Sequence, residues 1–79
     1  MAEQQHVRLR LRLAIPAQEY LAYYRHEAEA VMARTLDGPS IEFPAAALRR
    51  HVSRDGVYGL FEIEFDASRR LIRLERLAD

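Results

Sequence analysis

The stretch Val7-Arg8-Leu9-Arg10-Leu11-Arg12-Leu13-Ala14-Ile15-Pro16 decides how the chain is read. Val7, Leu9, Leu11, Leu13 and Ile15 alternate with Arg8, Arg10 and Arg12. Strand side chains point to opposite faces with period two, so the pattern predicts a half-buried β-strand with one apolar and one arginine-lined face. A second segment follows the same grammar. Gly59, Phe61, Ile63 and Phe65 alternate with Leu60, Glu62, Glu64 and Asp66. Facing each other on the outside of a sheet, the arginines and carboxylates would neutralise one another, each pair contributing about 0.2–1 kcal/mol. Arg73 and Glu75 extend the same charge-laced surface. Such a ladder also discourages the edge-to-edge association that threatens small sheets.

Outward from these strands, prolines and turn residues divide the chain. Pro16 ends the first strand and suits the first position of a helix, where its missing N–H costs nothing. Residues 17–26 are helix formers, with Tyr20, Leu21 and Tyr24 on one apolar face. From residue 28 to 36 two readings stay open. Alanine, glutamate and methionine favour helix through Arg34, whereas Asp37-Gly38 followed by Ser40–Phe43 favours a hairpin whose first strand runs from about Ala28 to Leu36. Pro44 opens a second helical turn, Ala45–His51, whose terminal Arg49, Arg50 and His51 complement the helix dipole. Asp55-Gly56 marks a turn and Ala67-Ser68 a tight connection. Leu71–Leu77 then reads as a closing strand with Ile72 and Leu74 inward.

The order and spacing of these segments resemble a small bacterial family. The residues that carry the resemblance are Tyr20, Tyr23 and Tyr24, then Asp37-Gly38, Phe43-Pro44-Ala45, Leu48-Arg49, Gly56, Gly59 with Phe61, Phe65-Asp66 and Leu74 to Leu77. The family is the domain of unknown function numbered 2835, and the resemblance runs from about Val7 to Leu77. It implies the strand reading of residues 28–36, although Glu27 stands where the family usually has glycine and Ala33 where it has a β-branched residue. It implies architecture and no chemistry.

The expected fold is therefore α+β, in the order β-α-β-β-α-β-β: a curved antiparallel sheet of about five strands, up to a partly open small barrel, with two short helices. Phe43, Phe61, Ile63, Phe65, Ile72 and Leu74, with Leu9, Leu11 and Leu13, form the expected core. Leu60, Leu71 and Leu77 would point to the charged face and mark a self-association patch. Residues 1–79 make one small domain, with residues 1–5 expected to be disordered.

Composition narrows the function. Hydrophobic residues are 49% of the 79, but twelve are alanine, so bulky core is scarce. Twelve arginines and no lysine balance twelve acids, for a formal net charge of zero. That balance argues against gripping nucleic acid by bulk charge. The absence of cysteine excludes disulfides, thiolate metal sites and cysteine nucleophiles. No apolar run reaches the roughly 20 residues that span a bilayer, and Met1 to Gln5 do not read as a signal peptide. A cytoplasmic chain is expected.

Candidate sites are few. Arg49, Arg50 and Arg54, with only Asp55 as a nearby acid in sequence, form the better candidate for an anion or partner contact, because loops on a rigid scaffold often carry function. Tyr23 falls off the stripe of Tyr20 and Tyr24 and is the tyrosine expected at an interface. His6, His26 and His51 stand singly, without metal-ligand spacing. Ser40, Ser53 and Ser68 lie in turns, and the glycines are too dispersed to cradle phosphate. No cofactor and no catalytic constellation is expected. The expected function is a non-enzymatic module that binds a protein partner or itself as a homodimer. The alternative is single-stranded RNA binding through Arg49, Arg50, Arg54 and Tyr23. Pairing of the strand arginines with Glu62 and Glu64 would favour the first; an unneutralised arginine face would favour the second.

Overall fold

The computed structural model of the chain describes residues 5–25 and 29–79. The alternating stretch forms β1, Val7–Pro16, and the second alternating stretch forms β4, Gly56–Phe65. They pair antiparallel through ten consecutive positions, from Val7 opposite Phe65 to Pro16 opposite Gly56. This register puts Leu9, Leu11, Leu13 and Ile15 on the same face as Ile63, Phe61, Gly59 and Val57. Leu11, Phe61, Ile63 and Val57 are fully buried there.

The remaining elements are α1, Ala17–Tyr24; β2, Ala30–Arg34; β3, Ser40–Pro44; a 3₁₀ helix, Ala45–His51; and β5, Leu71–Ala78. The α+β class and the β-α-β-β-α-β-β order are as the sequence predicts. The five strands lie in two antiparallel sheets, β1-β4-β5 and β2-β3, and the sheet is not closed into a barrel. A single bridge, Leu11 to Thr35, and a hydrogen bond from the Leu36 N–H to the Arg10 carbonyl (2.8 Å) tie the hairpin to β1. The first helix ends at Tyr24, short of the expected residue 26; His26 lies outside the described residues. So do residues 1–4 of the segment expected to be disordered.

Residues 30–34 are strand, which settles the two open readings. Their intrinsic preference for helix is overridden by pairing with Ser40–Pro44 and by burial of Val31 and Phe43 between the sheets. The turn explains how Pro39 is tolerated there. Thr35 and Pro39 flank a three-residue loop in which the Gly38 N–H donates to the Thr35 carbonyl (3.1 Å). The Thr35 N–H donates to the Pro39 carbonyl (2.9 Å) and the Thr35 hydroxyl to the same oxygen (2.7 Å). The donor that Pro39 lacks is thus never required.

The 3₁₀ form of Ala45–His51 has a consequence for packing. At three residues per turn, Ala45, Leu48 and His51 fall on one face. Ala45 and Leu48 are buried in the core. His51 follows them inward, where its Nε2 donates to the Leu74 carbonyl of β5 (2.8 Å) and its ring meets Phe61 edge-on at 5.0 Å. Nε2 must carry the proton, because a carbonyl oxygen only accepts.

β5 departs from strict alternation. Its register against β4 skips two residues, Ile72 between Leu71 and Arg73 and Leu77 between Arg76 and Ala78. These bulges correct two expectations. Ile72, expected in the core, is 44% exposed. Leu71, expected on the charged face, lies opposite Phe65 and packs against the core. Leu77 is exposed as expected, and Leu60 lies on the outer face opposite Arg12. Of the other expected core residues, Leu9 and Phe65 are only half-buried.

Gly56 starts β4 with φ +123°, and a Cβ there would overlap the Ile15 carbonyl and crowd the Ala17 nitrogen at 2.8 Å. Gly38 has φ +119° but open space around it. Gly38→Ala therefore carries backbone strain alone and should lower stability by about 1–3 kcal/mol. Gly56→Ala should cost clearly more, because main-chain atoms of β1 must move. Urea unfolding of both variants beside the parent checks the order.

Candidate functional site

The outer face of the three-stranded sheet carries the charges. Arg10 lies across from Glu62 (Nε to Oε2, 3.7 Å) and Arg8 across from Glu64 (3.5 Å), as their register positions require. Glu64 is the hub. Its Oε1 accepts from Arg73 Nε of β5 (2.8 Å) and its Oε2 from His6 Nδ1 (2.8 Å), while Arg73 also reaches Glu75 (2.9 Å). Asp66 takes no part in this ladder, contrary to expectation. Its Oδ1 instead accepts the Ser68 and Arg70 N–H groups (2.8 and 2.9 Å) and so shapes the β4–β5 turn, where Arg69 has φ 67°. Arg12 faces Leu60 and has no acid within ion-pair distance among the described residues.

The sequence-predicted site residues are brought together only in part. Tyr23 and Arg49 line one groove of about 240 Å³ between α1 and the 3₁₀ helix, together with Tyr20, Tyr24, Glu29 and Pro44. Tyr23 is half-buried rather than fully exposed. Arg50 is exposed on the 3₁₀ helix and Arg54 in the turn before β4, and neither lines this groove. His51, next to them in sequence, faces the core. Arg76 lies over the Phe61 ring, its guanidinium 5.3 Å from the centroid, and donates to the His51 carbonyl (3.3 Å).

A second groove, of about 620 Å³, had no counterpart in the sequence reading. It opens where β1 begins and β4 ends, and β3 forms its other wall. Val7, Leu9, Ile41 and Phe65 give it an apolar floor, with Ser40, Glu42, Asp66 and Arg69 around it. All four floor residues stand at inward positions of their strands, yet each remains partly exposed and Val7 is 48% exposed. No motif announces such a feature, because it exists only where two sheets fail to close over each other. Among the described residues no group of three His, Asp or Glu side chains is placed to hold a metal ion.

Residues 7–77 match the family described as Protein of unknown function (DUF2835), a span from the first residue of β1 almost to the end of β5. The chain belongs to the DUF2835 family. No curated protein and no solved structure matches it. What this DUF2835 chain can do must therefore be argued from its own residues.

The electrostatics of that chain centre on Glu64, which is only 5% exposed. Hydrogen bonds from His6 and then Arg73 hold its carboxyl far below the ordinary 4.5, at about 2; burial opposes the shift, and the charges of Arg8 and Arg73 add to it. The same bond from Glu64, with the charge of Glu75, raises the pKa of Arg73. A carboxyl whose folded pKa lies below its unfolded value stabilises the fold above the unfolded value and loses that contribution as pH falls. For Glu64 the contribution is complete above about pH 4.5 and drains away toward pH 2. Glu64→Gln should therefore lower stability at neutral pH and flatten the loss of stability between pH 4.5 and 2. Urea midpoints measured across that range for variant and parent check both effects; parallel curves would remove Glu64 from the acid response.

Proposed function

We propose that this protein is a non-enzymatic interaction module that holds a protein partner, or a second copy of itself, in the groove floored by Val7, Leu9, Ile41 and Phe65. The observation that carries this reading is the contrast between two surfaces. The strand arginines Arg8 and Arg10 are spent on Glu64 and Glu62, whereas inward-facing apolar positions of both sheets are left open to solvent in one place. A concave site with an apolar floor and a few polar groups around it is the usual make-up of a binding site. Two hydroxyls have structural duties: Ser53 donates to the Gly56 carbonyl (3.2 Å) within its turn, and Thr35 to the Pro39 carbonyl (2.7 Å). A cytoplasmic setting belongs to this reading. Among the described residues no helix is long and apolar enough to cross a membrane.

A photo-crosslinking benzoylphenylalanine in place of Val7 tests the reading in cells. Irradiation should yield a discrete protein adduct, at twice the chain mass if the partner is a second copy. The same probe in place of Gln18, exposed on α1, should yield none. No adduct at Val7, or equal labelling at both positions, would overturn the assignment.

A second reading rests on Tyr23 and Arg49 sharing one groove, since an aromatic face beside a guanidinium can stack a base and contact a phosphate. Under that reading single-stranded RNA should bind in a fluorescence-anisotropy titration at low salt, weaken steeply toward physiological salt, and release when Arg49→Ala and Arg50→Ala are combined. Absence of binding at low salt retires it.

A further inference from the structure

The groove has one wall that is more than apolar. In an antiparallel ladder the hydrogen-bonded pairs recur at every second residue. The β2–β3 ladder is flanked by two such pairs: the Thr35 N–H donates to the Pro39 carbonyl (2.9 Å), and the Ala45 N–H to the Glu29 carbonyl (2.8 Å). Between them the register places Ala33 opposite Ile41 and Val31 opposite Phe43. The odd-numbered residues of β3 therefore turn their N–H and C=O groups toward β2. Ser40 and Glu42 turn theirs the other way, to the edge that borders the groove.

Two other edge segments are treated differently. The second edge of β1 is engaged by the hairpin at Arg10 and Leu11, through the Leu11–Thr35 bridge and the Leu36-to-Arg10 hydrogen bond. β5 is interrupted by bulges at Ile72 and Leu77, and its Leu74 carbonyl is taken by His51. Bulges and occupied carbonyls are how proteins make an edge unfit for pairing. Among the described residues the β3 edge has neither protection over Ser40–Glu42, and it lies beside the half-exposed Val7, Leu9, Ile41 and Phe65.

Resting on the reading above that this groove holds a protein partner, we propose that the partner binds by strand addition. An extended segment of another protein pairs with β3 along Ser40–Glu42 and drops alternate apolar side chains onto the floor formed by Val7, Leu9, Ile41 and Phe65. Main-chain hydrogen bonds and alternate side-chain contacts are what this mode combines. Charge narrows the segment further. Glu42 stands on the outward face of β3, opposite the exposed Met32 on one side, and among the described residues no strand pairs with its other side. The residue that the added strand sets across from Glu42 faces solvent beside a carboxylate, so a lysine or arginine is favoured there. The occupant is a short extended segment that alternates apolar residues with polar ones and carries a basic residue among the latter.

The test uses the full chain and a phage-displayed library of random twelve-residue peptides. Sequences selected on the parent are counter-screened against Val7→Glu, which puts a charge on the groove floor at a half-exposed position, and Glu42→Pro, which deletes one outward N–H without touching the β2 ladder. Both variants are first compared with the parent by circular dichroism and thermal melting. If Glu42→Pro does not fold, Val7→Glu and the modified peptides below carry the test. The expected result is a set of peptides with alternating apolar residues and a basic residue. These should lose at least tenfold in affinity on either variant. Synthetic versions of the best binder, N-methylated on every second amide in the two possible phases, should then divide: one phase abolishes binding, the other leaves it within about threefold. Peptides that need Val7 but tolerate N-methylation in both phases overturn strand addition and leave the groove as a docking surface. Failure to select any Val7-dependent peptide overturns the inference, and the Proposed function falls with it only if benzoylphenylalanine at position 7 also captures nothing. A parent that runs as a dimer, with Glu42→Pro running as a monomer, assigns the edge to a second copy and overturns the peptide as occupant.

Discussion

Everything else in this fold depends on the ten-position pairing of β1 with β4. A strand's faces alternate with period two, so a slip of one residue would carry Arg8, Arg10 and Arg12 into the core and put Leu9, Leu11 and Leu13 in water. Such a slip is excluded twice over. Burial of Leu11, Phe61 and Ile63 is lost on one side, and the Arg8–Glu64 and Arg10–Glu62 partnerships are lost on the other. Each ion pair by itself is worth little at a solvated surface. Their value lies in agreeing with the apolar register, and Glu64 deepens that agreement by binding a residue of β5 and one preceding β1 as well.

The two sides of the same sheet are thereby given different tasks. On the outer face Arg8, Arg10 and Arg73 each have a carboxylate partner, while Arg12 has none among the described residues. The inner face is covered unevenly. The 3₁₀ helix closes one end by placing Ala45, Leu48 and His51 in line, with His51 reaching across to β5. At the other end no described residue plays an equivalent part over Val7, Leu9, Ile41 and Phe65, and a groove opens there. Apolar side chains are not lacking, since Leu21, Met32, Leu36 and Ile72 are exposed elsewhere; the opening follows from how the elements are placed.

Edges show a similar division. β5 carries two extra residues that push Ile72 and Leu77 outward and break its pairing geometry, and its carbonyl at Leu74 is engaged by His51. These features make the outermost strand of the larger sheet a poor template. β3, shorter and bounded by Pro39 and Pro44, presents its unpaired backbone over only a few residues. Its shortness and its prolines guard against open-ended sheet growth, while Ser40–Glu42 carry no bulge.

Much of this architecture was written in local sequence. Period-two alternation gave both long strands and their inner and outer faces, and Pro16, Pro44, Asp37-Gly38 and Ala67-Ser68 divided the chain at the right places. The partnership of the strand arginines with Glu62 and Glu64 was also legible, because identical spacing on two paired strands leaves few other arrangements. Tertiary structure decided the rest. Helix against strand for residues 30–34 turned on a pairing partner that propensity does not see. Ile72 and Leu71 exchanged faces because a bulge shifts phase without leaving a mark in composition. Of Tyr23, Arg49, Arg50 and Arg54, only the first two share a groove, because adjacent positions on a three-residue helical repeat point in different directions. The open groove beside β3 is a property of how two sheets meet. Periodicity reports which face of an element is apolar, but only the packing of elements against one another determines whether that face is covered.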